Sequence, residues 1–208
     1  YMDTDSLYLN MAPLVKHVGV ADPVSFLDKA CDQKFEKVLE KAYDILFHQQ
    51  NAFKNTMVMK REAIADAGIW TAKKRYILNV HNSEGVQYAE PKLKIMGIEA
   101  VKSSTPAIVR GKFKEAYQIM LSGTEADLQK FVSDFYEVFK GLAPEEVSFP
   151  RGVSEIDKWK SGFTSAEVKS GCPIHVRGAI VYNHLVQSLK LRDDEIKNGN
   201  KVKFCYLK

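Results

Sequence analysis

Two aspartates one residue apart, Asp3 and Asp5, stand in the opening string Tyr1-Met2-Asp3-Thr4-Asp5-Ser6, and the alternating Leu7-Tyr8-Leu9 follows directly. On a strand, residues i and i+2 point the same way, so both carboxylates face one site; in a tight turn both still reach one cation. Mg²⁺ suits this donor set, because it takes one or two protein carboxylates and leaves the rest of its shell to water and phosphate oxygens. Alone, Asp-x-Asp fits a solvated turn as well as it fits a metal site. A second, cationic group is Lys73-Lys74-Arg75-Tyr76. On a strand, alternation places Lys73 and Arg75 on one face and Lys74 and Tyr76 on the other. One face then suits phosphates and the other packing or a duplex groove, while Lys92 and Lys94 share a face of a later strand and extend the track.

The charge is unevenly spread. The 208 residues carry a net +4, but residues 1–53 hold five basic against eight acidic side chains, a net of −3. Residues 54–114 hold twelve against five, a net of +7, and the remainder is neutral. A charged stretch is usually a solvated face; one that meets a phosphate backbone makes binding steeply salt-dependent. A hydrophobic content of 45% is ordinary for a globular protein, and a length of 208 residues permits one or two domains. No apolar run of about 18 residues suggests a membrane span, and nothing resembles a signal peptide. Cys31, Cys172 and Cys205 show neither metal-ligand nor disulfide spacing, which fits thiols in a reducing cytoplasm.

The elements that would position these groups are readable in outline. A short strand, Leu7 to Asn10, leads into a loop containing Pro13 and Gly19. Asp22-Pro23 caps a long helix to about Gln50, with Leu27, Cys31, Phe35, Val38, Ala42, Ile45 and Leu46 as its core-facing stripe. Residues 54–65 read as a strand, Asp66-Ala67-Gly68 as a turn, residues 69–80 as a second strand, and Asn82-Ser83-Glu84-Gly85 as the turn into a third. Thr105 caps and Pro106 starts a helix ended by Gly123; Thr124 caps the next, stopped by Gly141, and the two should pack antiparallel. Ile180, Leu185 and Leu189 mark a further helix, and Asn198-Gly199-Asn200 a turn before a last strand.

The opening string resembles the palm motif of family B DNA polymerases, in which a β-hairpin presents two aspartates at its tip. Four further segments resemble, in order and at similar spacing, the second half of T-even-type phage replicative polymerases. They are Lys60-Arg61-Glu62-Ala63-Ile64-Ala65, Lys73-Lys74-Arg75-Tyr76, Ala89-Glu90-Pro91-Lys92-Leu93-Lys94-Ile95-Met96-Gly97 and Lys102-Ser103-Ser104-Thr105-Pro106. Cys172-Pro173-Ile174-His175-Val176-Arg177-Gly178 resembles a segment of their thumb. The resemblance implies an α+β fold: a partial palm, antiparallel sheet backed by a long helix, over residues 1–103, then a mainly helical thumb, incomplete at its C-terminus, over residues 104–208.

It also implies template-directed addition of deoxynucleotides to a primer 3′ end, with two Mg²⁺ ions. Asp5 would be the direct metal ligand, Asp3 would sit close to the primer terminus with Thr4 between them, and Glu62 would lie near the metal centre. Glu62 reads equally well as an exposed cross-strand partner for a lysine. Lys73, Lys74, Arg75 and Tyr76 would hold the new primer-template duplex, with Lys92 and Lys94 beside them. Arg151, Lys169, His175 and Arg177 would be the thumb's contacts to the primer strand. Since the chain opens on Tyr1 and closes on a strand-like segment, it is expected to continue in both directions. The implied partners are primer-template DNA, deoxynucleoside triphosphates, an N-terminal polymerase portion, and a sliding clamp reached through a C-terminal tail. The implied setting is the cytoplasm of an infected bacterium, with no membrane. On this reading the chain alone binds duplex without extending it. One alternative is a subunit of a split polymerase, and another a DNA-holding module without catalysis. A sugar-nucleotide transferase, which Asp-x-Asp also permits, leaves the Lys73 cluster unexplained.

Overall fold

In a computed structural model that describes residues 2–3, 6–161 and 167–206, the chain forms two compact units, Tyr1–Ile98 and Glu99–Lys208. Helices and antiparallel strands occupy separate stretches of sequence, so the α+β expectation is borne out. The first unit begins with a hairpin of β1 (Met2–Asp3) and β2 (Ser6–Leu7), in which Met2 pairs with Leu7 and Asp3 with Ser6. A short helix, α1 (Ala12–Val18), occupies the stretch expected to be a loop; its proline lies in the first turn, where the missing N–H costs nothing.

The long helix begins as the sequence indicates. The Asp22 carboxylate accepts the N–H groups of Val24 and Ser25, each at 3.1 Å, and Pro23 starts α2 (Pro23–Ala30). A π-helical turn, Cys31–Phe35, then joins α2 to α3 (Glu36–Gln49). The expected core-facing stripe is only half realised. Leu27, Cys31 and Phe35 are half-buried, whereas Val38 and Ile45 are 65% and 59% exposed and Ala42 and Leu46 also face solvent. The extra residue of the π turn rotates the downstream helix, so that Leu39, Tyr43 and Phe47 are the half-buried apolar positions of α3.

The sheet corrects the expected strand boundaries. Residues 54–62 form no ladder; β3 is Ala63–Ala72, β4 is Arg75–Ser83 and β5 is Val86–Met96, in the order β3-β4-β5, all antiparallel. Asp66-Ala67-Gly68 is therefore not a turn but an irregularity within β3, where the register shifts between Ala65 and Ala67. Asp66 is satisfied across the ladder by Asn79 Nδ2 at 2.9 Å and by His81 Nε2 at 3.1 Å. Gly68 lets its partner strand's side chains approach, since a Cβ there would stand 2.7 Å from Leu78 Cδ2. The true reversal is Lys73-Lys74, between the paired Ala72 and Arg75. As the central strand, β4 supplies most of this unit's buried residues: Tyr76, Ile77, Leu78, Val80 and Asn82.

In the second unit a 3₁₀ turn, Glu99–Val101, precedes α4 (Ala107–Ser122) and α5 (Glu125–Lys140), which pack on one another. Thr105 does not cap α4: it is buried, Pro106 occupies the cap position, and no side chain bonds the helix start. Thr124 does cap α5, in a reciprocal box with Asp127, and Gly141 closes it. After α6 (Pro144–Val147) come β6 (Phe149–Gly152), α7 (Ile156–Trp159), α8 (Ile174–Ser188) and β7 (Lys201–Phe204), with β7 antiparallel to β6. Val153, Ile156, Val176, Ala179 and Ile180 make the core. Buried Asn183 pins the segment after α8, donating to the Ile196 carbonyl at 2.7 Å and accepting the Ile196 N–H at 2.8 Å. Cys31, Cys172 and Cys205 are free thiols.

Candidate functional site

Asp3 ends β1 opposite Ser6, on a hairpin whose second strand runs straight into Tyr8. Thr4 and Asp5 lie outside the described residues. Tyr8 anchors this segment on the three-stranded sheet. Its ring meets Trp70 of β3 and Tyr76 of β4 edge to face, with centroids 5.5 Å apart in both pairs, and packs on the cluster Tyr76, Leu78 and Val80. The strand that follows the aspartates and the strand that follows the lysine turn thus share one aromatic contact.

Lys73, Lys74 and Arg75 are all exposed at the β3–β4 reversal, with Lys74 in the left-handed region at φ 60°. Because Lys73-Lys74 is a turn, the expected alternation of faces does not hold there. Tyr76, one residue into β4, is buried beneath Tyr8. The turn rests directly on Gly97, just past β5: a Cβ on Gly97 would stand 2.2 Å from the Lys74 carbonyl oxygen and 3.3 Å from Arg75 Cγ.

Lys92 and Lys94 sit opposite Val80 and Leu78 and so share one sheet face, as expected. Each has a partner within the first unit. Lys92 Nζ lies 4.1 Å from the Tyr88 ring centroid, and Lys94 forms an ion pair with Glu62. Glu62 is exposed, and its carbonyl accepts the Glu84 N–H at 2.7 Å. Glu62 lies one residue before β3, so a lysine partner, but not a cross-strand one, is what its geometry shows.

Next to Glu62, Arg61 ties the long helix to the start of β3. Its side chain, 12% exposed, pairs through the guanidinium with Asp28 of α2, and its backbone N–H donates to Glu36 Oε1 of α3 at 3.0 Å. Eight residues on a regular helix turn through about 800°, which would set Asp28 and Glu36 about 80° apart. The π turn absorbs one residue, so the pair aligns as if seven apart, about 20° from two full turns, and both reach residue 61. Burial raises the Cys31 thiol above its ordinary pKa; the nearby Arg61 charge opposes this, and Glu36 and Asp28 add to it. Burial also pulls the Asp66 carboxyl upward, but hydrogen bonds from His81 and Asn79 and the His81 charge outweigh it and leave that carboxyl lowered.

In the second unit Arg151 lies exposed on β6 opposite Val202, and Arg177 lies exposed in the first turn of α8. Lys169 is exposed on the turn leading into that helix, where the Cys172 N–H reaches its carbonyl at 3.3 Å. His175 is half-buried and stacks on Phe204 of β7, with centroids 6.0 Å apart at 25°. Phe204 also meets its cross-strand partner Phe149 and Tyr206. The four residues expected to contact the primer strand thus belong to β6, the α8 entry and the first turn of α8.

Sequence reasoning passed over Arg61 and Gly97 as working residues. An isolated glycine directly after the alternating Lys92-Leu93-Lys94-Ile95-Met96 is the available signal for Gly97, since such a glycine marks a close backbone approach. Nothing local marks Arg61, whose partners lie 33 and 25 positions earlier in the chain.

An α+β chain carrying an aspartate hairpin and a basic sheet turn tied through one aromatic contact has relatives among the DNA-directed DNA polymerases of phages. The chain is 35% identical to the DNA-directed DNA polymerase of Escherichia phage RB69 over 97% of its own length, and 33% identical to that of Enterobacteria phage T4 over 96%. It spans about a quarter of each of these relatives, 24% and 23%. The resemblance to T-even-type phage polymerases is thereby borne out. No protein-family model matches the chain. Among the described residues, no helix is long and apolar enough to cross a membrane.

Proposed function

We propose that this chain is the palm-and-thumb part of a phage replicative DNA polymerase, holding primer-template duplex beside two aspartates that bind Mg²⁺. The observation that carries this reading is the similarity running over 96–97% of the chain to DNA-directed DNA polymerases, with the Lys73–Tyr76 motif inside it. Carboxylates are hard oxygen donors, and Asp3 with Asp5 fits the one or two protein ligands that Mg²⁺ accepts. When bound, a pair of such ions stabilises the attacking and leaving oxygens of phosphoryl transfer. The chain's own residues do the rest of the positioning. Tyr8 holds the aspartate hairpin's second strand against Trp70 and Tyr76. Lys73, Lys74 and Arg75 meet duplex phosphates from the turn beyond Tyr76, with Lys92 and Lys94 on the same sheet. Glu62 acts through Lys94, setting where that ammonium stands. Arg151, Lys169, His175 and Arg177 supply a second set of contacts, to the primer strand, from the thumb.

Primer-template DNA, deoxynucleoside triphosphates, an N-terminal polymerase portion and a sliding clamp are the partners this reading requires, in the cytoplasm of an infected bacterium. The deciding measurement is fluorescence anisotropy of a labelled primer-template, titrated at several salt concentrations. Wild type should bind with a steep salt dependence. Lys73→Ala/Lys74→Ala should weaken binding about tenfold or more and flatten the slope of log K against log salt by about two, one per lost phosphate contact. Binding insensitive to salt, or unchanged by the double substitution, would overturn the reading.

A further inference from the structure

We infer that Gly97 is a positioning residue for the phosphate-gripping turn, a platform that fixes the Lys74 carbonyl and so aims the Lys73 and Lys74 side chains. The inference rests on the duplex-holding reading and adds a residue that carries no charge and reaches no ligand. Gly97 has φ +66° and lies one residue past Met96, which pairs with Tyr76. A Cβ there would stand 2.2 Å from the Lys74 carbonyl oxygen, 3.2 Å from its carbon and 3.3 Å from Arg75 Cγ. The nearest atoms are backbone, so they yield only if the turn itself moves. Lys74 is held at φ 60°, a conformation uncommon for a residue with a Cβ. The glycine backbone backs that turn at a distance that no residue with a Cβ permits.

The same sheet contains an internal control. Gly85, at the β4–β5 reversal, is also left-handed, at φ +85°, but a Cβ there meets nothing within 4 Å. Gly85→Ala therefore imposes comparable backbone strain without touching the lysine turn, whereas Gly97→Ala imposes the strain and the collision together.

The test compares Gly97→Ala, Gly85→Ala and wild type in two assays: amide hydrogen exchange of the free protein, and anisotropy with labelled primer-template. In Gly97→Ala, exchange should speed up at Lys74 and Arg75 while the amides of Ile77 and Leu78 keep their protection, which establishes an intact sheet. DNA affinity should fall about tenfold, and the salt slope should flatten by about one to two, as if lysine contacts had been removed. Gly85→Ala should bind DNA as wild type does. Unaltered binding by Gly97→Ala, or equal weakening by Gly85→Ala, overturns the inference and leaves the duplex-holding reading standing. Failure of wild type itself to bind in a salt-sensitive way overturns both.

Discussion

At Arg61 a single side chain joins helix to sheet, and its surroundings set what its loss should cost. Arg61→Met keeps much of the aliphatic stem but leaves Asp28 without its cation. Asp28 is 38% exposed, so water compensates part of that charge, and the expected loss is about 2 kcal/mol, below the roughly 3–5 kcal/mol of a fully buried pair. Urea unfolding with an unchanged m value measures it, and a loss under about half a kcal/mol would contradict the clamp. The neighbouring thiol gives an independent readout. Burial holds Cys31 above the ordinary thiol range, Arg61 pulls it down, and Glu36 and Asp28 push it up. Removing Arg61 takes away the one opposing influence, so the thiolate should form at still higher pH. The pH profile of Cys31 alkylation should shift upward in Arg61→Met; an unchanged profile would mean that the guanidinium lies elsewhere.

The helices test geometry one level up. Since the π turn aligns Asp28 with Glu36 by absorbing one residue, deletion of exposed Gln33 should convert Cys31–Phe35 to regular helix and keep both acids on residue 61. The deletion should change stability by less than about 1 kcal/mol, whereas deletion of Lys41, in the regular helix, rotates everything downstream by about 100° and should cost several times more. Thermal unfolding of the two deletions side by side decides it, and equal losses would refute the alignment. On α5, Thr124→Ala should cost about 1 kcal/mol, the ordinary value of a lost cap. The box also carries a pH signature. The Thr124 hydroxyl, then the Thr124 backbone N–H, lower the Asp127 carboxyl below its ordinary pKa. Its contribution is complete above the unfolded carboxyl value and is lost as pH falls through the lowered folded value. In acid titrations, Asp127→Asn should abolish that part of the loss. These caps were legible in the sequence because capping is local: Asp22, Thr124 and Gly141 act within a few residues of where they stand. The strand boundaries were not. Asp66-Ala67-Gly68 has the composition of a turn, yet Asp66 finds its partners across the ladder in Asn79 and His81, while the real turn is built from two lysines. The exposure of Val38 and Ile45 followed from a π turn that no residue type announces. Of the candidate site, the aspartates and the basic cluster were named from their resemblance to polymerase motifs, whereas Gly97 and Arg61 stand out only when distant backbone comes near.

On the scale of the whole chain, the functional reading depends on what a polypeptide spanning about a quarter of its polymerase relatives can do by itself. Net charge is only +4, but the +7 of residues 54–114 falls on the segment that holds the lysine turn and the whole three-stranded sheet. Gripping a polyanion needs only such local charge. Catalysis needs more, because two cations about 4 Å apart require oxygen donors on both, and two aspartates cannot saturate that site. The two properties should therefore separate: this chain should bind primer-template and add no nucleotide to it. Gel-resolved primer extension with purified protein, Mg²⁺ and all four deoxynucleoside triphosphates makes the comparison, with Asp5→Ala assayed in parallel. A trace of host polymerase would extend primers at a rate indifferent to Asp5, so only a rate that vanishes in Asp5→Ala would belong to this chain. Such a rate would show that the donors present here suffice, and would overturn the division between a holding part and a completed catalytic site.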